Sequence, residues 1–318
     1  MNDTLPPVIF APGEGIWLSF HGVPSRLVAT GGQTNDAFCV SVGTSFPGGQ
    51  APPHAHGFGE GFWIAKGTMN FIAGNETVDL PQGGFIHIEG GTAHFPKNET
   101  DSEAELITIC APAGFDRFQL EVGEPVENGE GPFPKAGPDL AGRMEAAATQ
   151  YGIDLSPSPE AFEQAPEITV RQPGEGDVIA VVGDVYRFLA RGEDTGGDYA
   201  LWHATVYPRG GPPPHRHQKE EEFFYLLKGE VTIYDDGKAV KATPGTAVTL
   251  PRGTRHWFKN EGEEPAEMLI LVAPAGLEDM FQKTGRPWSV EQGEPGGQRP
   301  EELATLKRIA GDFGIELG

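Results

Sequence analysis

The sequence predicts an all-β protein built from two similar domains in tandem, each a sandwich or small barrel, with short helices closing each copy. Three observations carry this expectation. The composition is turn-rich, with 45 Gly and 29 Pro in 318 residues and 38% hydrophobic content, which suits many short strands joined by tight turns. Short alternating apolar runs recur between those turns. The two halves also repeat one another at an offset of about 161 residues, the mark of a duplicated unit.

The repeat is explicit. Pro12-Gly13-Glu14-Gly15 returns as Pro173-Gly174-Glu175-Gly176, and Arg26 with Leu27 and Ala29 returns as Arg187 with Phe188 and Ala190. Ala111-Pro112-Ala113-Gly114-Phe115 becomes Ala273-Pro274-Ala275-Gly276-Leu277, and Tyr151-Gly152-Ile153-Asp154-Leu155 answers Phe313-Gly314-Ile315-Glu316-Leu317. The expected domains are 1–155 and 165–318, joined by Ser156-Pro157-Ser158-Pro159, whose composition is that of a connector.

Within the first copy, strands are expected at 17–30, 37–46, Phe62–Ala65, Met69–Ala73, Glu76–Leu80, Phe85–Ile88 and Ala104–Cys110, with a tight turn at Gly74-Asn75. The second copy reads more clearly. Phe223–Leu227, Val231–Tyr234, Ala239–Ala242, Ala247–Leu250 and Glu267–Ala273 are strand-like, and Asp235-Asp236-Gly237 is a turn. Helices are expected at Leu140–Gln150 and Glu301–Asp312, where apolar residues fall three or four apart. Pro300 stands at the start of the latter.

Charge and composition exclude several classes. A formal charge of −23 repels phosphate backbones and acidic membrane surfaces, so neither nucleic acid nor membrane is an expected partner. Cys39 and Cys110 sit in apolar strand-like runs and read as buried free thiols. Met1–Thr4 begins no secretory signal, and no window is long and apolar enough to span a membrane. A cytoplasmic location is expected. His21, beside Gly22, carries no signal.

The chemistry is concentrated in the histidines. In an extended strand, side chains two apart share a face, so His215 and His217 project together. Glu222 follows closely, and His256 stands on a later strand-like segment. Three imidazoles and one carboxylate form a plausible N3O shell for a divalent transition metal, unlike the Cys-rich tetrahedron of structural zinc. The set recurs as His54, His56, Glu60 and His94. The bland alternative, ordinary strand histidines on a wet surface, does not explain two matching sets. Glu220 and Glu221 read as a solvated acidic run. His87 and His203 read as structural. The aromatics near the first set (Phe46, Phe58, Phe62, Trp63, Phe85, Phe95) and near the second (Phe223, Tyr225, Trp257, Phe258, with Trp202 and Tyr207 upstream) read chiefly as core.

These motifs resemble the cupin superfamily, specifically a two-domain bicupin similar to bacterial quercetin 2,3-dioxygenases. The first family motif matches Gly49, His54, His56, Glu60 and Gly67, and again His215, His217, Glu222 and Gly229, with Gly210 one place off the usual glycine. The second matches Gly245, Pro251, Gly253, His256 and Asn260 throughout. In the first half Gly83, Gly91, His94 and Asn98 match, with Glu89 in place of the proline. The resemblance covers almost the whole chain. It implies two cupin β-barrels (double-stranded β-helix, jelly-roll) with one divalent metal each, iron first, with manganese, nickel, copper or cobalt as alternatives. It also implies that Glu222 and Glu60 take the proton of a substrate hydroxyl besides coordinating. The implied partners are a small aromatic substrate and O2, with a homodimer expected from exposed edges. The implied activity is O2-dependent cleavage of a flavonol or related phenolic or enolic ring. The alternatives are an oxalate decarboxylase-like bicupin, for which Arg209 is a partial substrate-holding candidate, and a non-enzymatic storage bicupin.

Overall fold

The computed structural model describes residues 5–20, 22–131, 133 and 139–318. Met1–Thr4 and His21 therefore lie outside the described residues, as does the side chain of Val290. Strands form where apolar residues alternate and end where a turn residue intervenes. Val231–Asp235 pairs with Lys238–Ala242 through Asp236 and Gly237 at φ 39° and 93°, the left-handed pair of a I′ hairpin turn. Gly74, at φ 48°, turns Thr68–Ala73 into Glu76–Pro81.

Chain contacts divide the molecule into two units. The N-terminal unit comprises Glu14–Gly32 and Asp36–Gly174. Its large sheet runs, in spatial order, Glu124–Pro125, Ile16–Phe20, Val23–Ala29, Cys39–Ser45, Ala104–Ala111, Gly59–Lys66, Phe85–Ile88 and Ile168–Arg171. A smaller sheet holds His94–Lys97, Thr68–Ala73 and Glu76–Pro81, and Ala55–His56 pairs with Ile153–Asp154. Its core lies between these sheets, with Phe62, Ile64, Ile86 and Ile88 facing Met69, Phe71 and Leu80.

The C-terminal unit comprises the chain up to Gly13, Gln33–Asn35 and Glu175–Gly318. Its large sheet runs Val8–Phe10, Ala247–Leu250, Glu221–Lys228, Ala266–Ala273, Ala200–Val206, Asp184–Ala190, Val178–Val181 and Arg286–Pro287. The second sheet runs Lys238–Ala242, Val231–Asp235, His256–Lys259, His215–His217 and Ile315–Leu317. Trp202, Phe224, Leu226, Ile233, Phe258 and Ile270 fill the space between. Each such side chain stabilises the fold by roughly 1.5–3 kcal/mol through burial.

The structure corrects the expected fold class. Among the described residues no sheet closes on itself: each large sheet begins and ends on an edge strand, so neither unit is a closed β-barrel. The helices are also more than short terminal caps. They are α1 (Phe115–Val122), α2 (Leu140–Tyr151), α3 (Leu277–Thr284) and α4 (Pro300–Ile309), and three of the four lie inside the chain. The fold is mixed α/β: two β-rich units, each carrying two helices.

The physical reasons differ for the two misses. Alternation and turn residues specify strands locally, whereas closure depends on pairing between distant strands, which no local pattern encodes. Helices α1 and α3 are eight residues each, too short for a period to stand out or for propensity to sustain them alone. Packing holds them: Phe118 and Val122 pack with Leu140, Ala147 and Ile153, and Leu277 and Met280 with Leu306 and Ile309. Repeated acids anchor their first turns. Asp116 accepts from the Gly31 N–H at 2.8 Å, and Glu278 from the Gly192 N–H at 2.9 Å. The two expected helices are present as α2 and α4. Helix α2 stops at Gly152, φ 68°, a left-handed C-cap. Helix α4 carries Pro300, Glu301 and Glu302 in its first turn and Lys307 and Arg308 in its last, which complements its dipole.

Candidate metal centres

Strand pairing brings the histidines together. His54 and His94 exchange both backbone hydrogen bonds, at 3.0 and 2.8 Å, and His215 stands opposite His256 in the same way. Their rings are then 4.4 Å apart, centroid to centroid, in both units. His56 and His217, two residues along, share the face of His54 and His215 as the strand period requires. The carboxylate comes from the other sheet, on Gly59–Lys66 or Glu221–Lys228.

In the N-terminal unit, Glu60 Oε2 lies 3.1 Å from His56 Nε2, 2.9 Å from His94 Nε2 and 3.9 Å from His54 Nε2. In the C-terminal unit, Glu222 Oε2 lies 2.6 Å from His256 Nε2 and 3.5 Å from His217 Nε2, and His215 Nε2 is 3.1 Å from His217 Nε2. The four donor atoms of each set fall within 4.8 Å of one another. Donors bound to one ion at about 2.1 Å sit about 3 Å apart when adjacent, which is this spacing. Glu222 Oε2 and His256 Nε2 are both buried and lack hydrogen-bond geometry to any protein group, despite their close approach. Two orphaned polar atoms facing one centre are what an absent cation would satisfy.

The outward nitrogens decide the matter further. The Nδ1 atoms of His54, His56, His94, His215 and His256 lie 2.7–3.0 Å from the carbonyl oxygens of Pro52, Phe58, Thr92, Pro213 and Thr254. A carbonyl only accepts, so each Nδ1 carries the proton and each Nε2 presents its lone pair inward. His217 Nδ1 is held instead by Glu220 Oε2 at 3.3 Å.

Electrostatics agree. Burial would raise the Glu222 carboxyl, but the imidazoles of His217 and His256 outweigh it and hold it at about 2. Burial would raise Glu60 as well, yet the surrounding imidazoles of His54, His56 and His94 outweigh it and hold the carboxyl well below the carboxylate range. Burial, then the neighbouring His256 and His217, push His215 well below its ordinary value. Burial also lowers His94, whereas His54 and His217 are raised because their neighbouring carboxylates outweigh burial. A buried anionic carboxylate beside three imidazoles forms a donor set suited to a divalent ion.

Several residues stand elsewhere than expected. Glu220 and Glu221 are buried, at 3% and 1% exposure, which corrects the reading of a solvated run. Glu220 orients His217, while Glu221 accepts from Asn35 Nδ2 and the Arg252 N–H, both at 2.9 Å. Their buried positions follow from the strand Glu221–Lys228 lying between two others, which local sequence does not reveal. His87 pairs with Glu89 at 2.9 Å and His203 with Glu267 at 3.2 Å, and neither joins a cluster. The Tyr207 hydroxyl donates to Gly293 O.

The units differ behind the carboxylate. In the N-terminal unit Cys39 and Cys110 are free, buried and opposite one another, and the Cys110 thiol reaches Glu60 Oε1 at 3.6 Å. In the C-terminal unit a cavity of about 50 Å³ adjoins His215, His217 and Glu222. Trp202, Phe258, Ile270 and Leu277 are among its walls, no Lys or Arg among the described residues lines it, and its buried polar members include Asp184 and Tyr186. Arg209 borders a separate pocket with Glu294.

Comparison with known proteins completes the description. The family model for the cupin domain matches twice, over residues 44–110 and 202–272, and each match holds one cluster. The chain carries two cupin domains. This bicupin is 24% identical over 296 residues to the quercetin 2,3-dioxygenase of Bacillus subtilis (strain 168), covering 89% of this chain and 87% of the relative. Its fold is similar to that of the Lactobacillus farciminis oxalate decarboxylase formate complex, with a TM-score of 0.57 at 13% identity over 88% of this chain and 92% of that one. It is also similar to the 11S globulin of Wrightia tinctoria, with a TM-score of 0.58 at 11% identity over 91% and 86%. At 13% and 11% identity, the likeness to the oxalate decarboxylase and to the globulin is one of fold. Among the described residues no helix is long and apolar enough to cross a membrane.

Proposed function

We propose that this bicupin is a metal-dependent enzyme whose clusters each hold one divalent transition ion. His54, His56, Glu60 and His94 would hold it in one unit, and His215, His217, Glu222 and His256 in the other. The observation that carries this reading is the set of outward Nδ1 bonds, which turns the lone pairs of five of the six imidazoles inward, in each unit toward a point beside a buried carboxylate. Such an ion, when bound, supplies Lewis acidity to an oxygen-bearing ligand. The chain positions that ligand, keeps bulk water away and, at Glu222, offers an ionised carboxylate that can accept a hydroxyl proton. Fe, Mn, Ni, Cu and Co all suit the donor set.

Cavity size favours a small substrate. About 50 Å³ beside the C-terminal cluster is far below the roughly 300–1,000 Å³ of sites for drug-sized ligands. This supports a small carboxylate that coordinates directly, in the manner of an oxalate decarboxylase-like bicupin. With no Lys or Arg among the described residues of the cavity wall, the ligand's charge would be met by the ion. The apolar walls and the likeness to a quercetin 2,3-dioxygenase support a second reading, O2-dependent opening of a phenolic or enolic ring. That reading requires the cavity to widen.

The deciding experiment is metal quantification by mass spectrometry, followed by parallel assays. Oxalate turnover would release CO2 and formate, whereas a flavonol would consume O2. Two metal equivalents with formate production are expected. Flavonol-dependent O2 uptake without oxalate turnover would transfer the conclusion to the second reading, and a chain that takes up no divalent metal would end both.

A further inference from the structure

Asp184 opens the strand Asp184–Ala190 and is only 1% exposed. Its carboxyl accepts from the Tyr207 N–H at 3.2 Å and from the Gly211 N–H. The turn between them wraps it so closely that a Cβ on Gly210 would stand 2.1 Å from Oδ1. The same side chain lines the cavity that adjoins His215, His217 and Glu222. Tyr186, two residues on and therefore on the same face, lines it as well. Burial, then the charges of Asp184 and Glu222, push the Tyr186 hydroxyl well above its ordinary range.

A carboxylate in such a wall needs a counter-charge, and among the described residues no Lys or Arg pairs with Asp184. The ionisable groups nearest it are accounted for. Glu222, His215 and His217 share the cavity, Glu302 and Arg286 pair with each other beside the Val182 backbone, Tyr207 donates its hydroxyl to Gly293 O, and Arg209 borders a separate pocket. Burial pushes the Asp184 carboxyl up to about 8 despite its two backbone donors. The internal repeat adds an independent point. Val23–Ala29 is the matching strand of the N-terminal unit, where Val23 and Ser25 stand in place of Asp184 and Tyr186. The acid belongs to one centre alone.

We infer that Asp184 is a substrate-binding residue of the C-terminal centre: its buried carboxyl, lining the cavity without a Lys or Arg partner among the described residues, donates a hydrogen bond to the second oxygen of a small ligand whose first oxygen would be held by the ion. This rests on the metalloenzyme reading above and names its substrate class. The ligand carries two oxygen functions on adjacent carbons, as in oxalate or an α-hydroxy carboxylate. In the N-terminal unit Val23 stands at the matching position, so that strand offers no carboxyl there.

The test uses the full chain loaded with Mn2+, with metal counted in each protein and oxalate titrated by calorimetry between pH 6 and 9. Wild type, Asp184→Asn and Asp184→Leu are expected to hold the same metal. One oxalate per chain should bind to wild type with an affinity that falls by about tenfold or more between pH 7 and 9, as the donor proton is lost. Asp184→Asn, whose amide still donates, should stay within about threefold of wild type at pH 7 and lose the pH dependence. Asp184→Leu should bind about tenfold or more weakly throughout. Full metal with oxalate bound as tightly by Asp184→Leu as by wild type, or with no oxalate bound at all, would overturn the inference while leaving the metal sites standing. Failure of wild type to take up Mn2+ would instead remove the metalloenzyme reading, and this one with it.

Discussion

Replacing Asp184 by Asn should stabilise the protein, and increasingly so as pH rises. The carboxyl has an ordinary value of 3.8 and stands at about 8 in the fold. Between those limits the folded chain holds a proton that the unfolded chain has released. Stability therefore falls with increasing pH, by about 1.4 kcal/mol per unit. From pH 5 to pH 7 the loss is about 3 kcal/mol, and over the whole window it is roughly 6 kcal/mol. Asn has nearly the same shape and still accepts from the Tyr207 and Gly211 N–H groups, but it does not titrate. The stability of Asp184→Asn relative to wild type should thus grow by about 3 kcal/mol between pH 5 and pH 7. Guanidinium unfolding of both proteins at pH 5, 6 and 7 measures it. The other ionisable groups are common to both proteins and cancel in the difference. A difference constant to within about 0.5 kcal/mol would mean that Asp184 is ionised in the fold, and the argument from its burial would be wrong.

Three further outcomes follow from the geometry. Glu60→Gln and Glu222→Gln should each lower the metal content of the chain by one equivalent, in its own unit; unchanged content and activity in both variants would count against the assigned ligand sets. Glu220→Gln weakens the hold on His217 Nδ1 and should reduce metal affinity at the C-terminal centre by about 10–100-fold, whereas Glu221→Gln, which touches Asn35 and Arg252 instead, should leave it unchanged in a competition titration with a chelator. Asn260→Ala should destabilise the C-terminal unit by about 3 kcal/mol in denaturant melts, because the fully buried amide donates to Val206 O and Glu264 O at 2.8 Å each and accepts from the Gly262 N–H at 2.9 Å.

Much of the candidate site was legible because its information is local or repeated. The two-residue spacing of His54 with His56, and of His215 with His217, sets each pair on one strand face whatever the surroundings. The offset between copies then identified Glu60 with Glu222 and His94 with His256. Gly67 and Gly229 belong to the same legible layer. Their φ angles are 76° and 72°, and a Cβ on either would stand 2.6–2.8 Å from the backbone of the facing segment, so only glycine fits. Helices α2 and α4 showed their period and their end residues.

By itself, then, the sequence determined which side chains gather into a cluster, which face of the strand they share, and that the arrangement occurs twice. Tertiary structure alone decided that the sheets stay open, that α1 and α3 form at all, that Glu220 and Glu221 are buried, and that Asp184 looks into the same cavity as Glu222. The division has one physical cause. Strand period and turn preference act between neighbours in the chain, whereas closure, burial and the ionisation of a carboxyl depend on what distant segments bring against it.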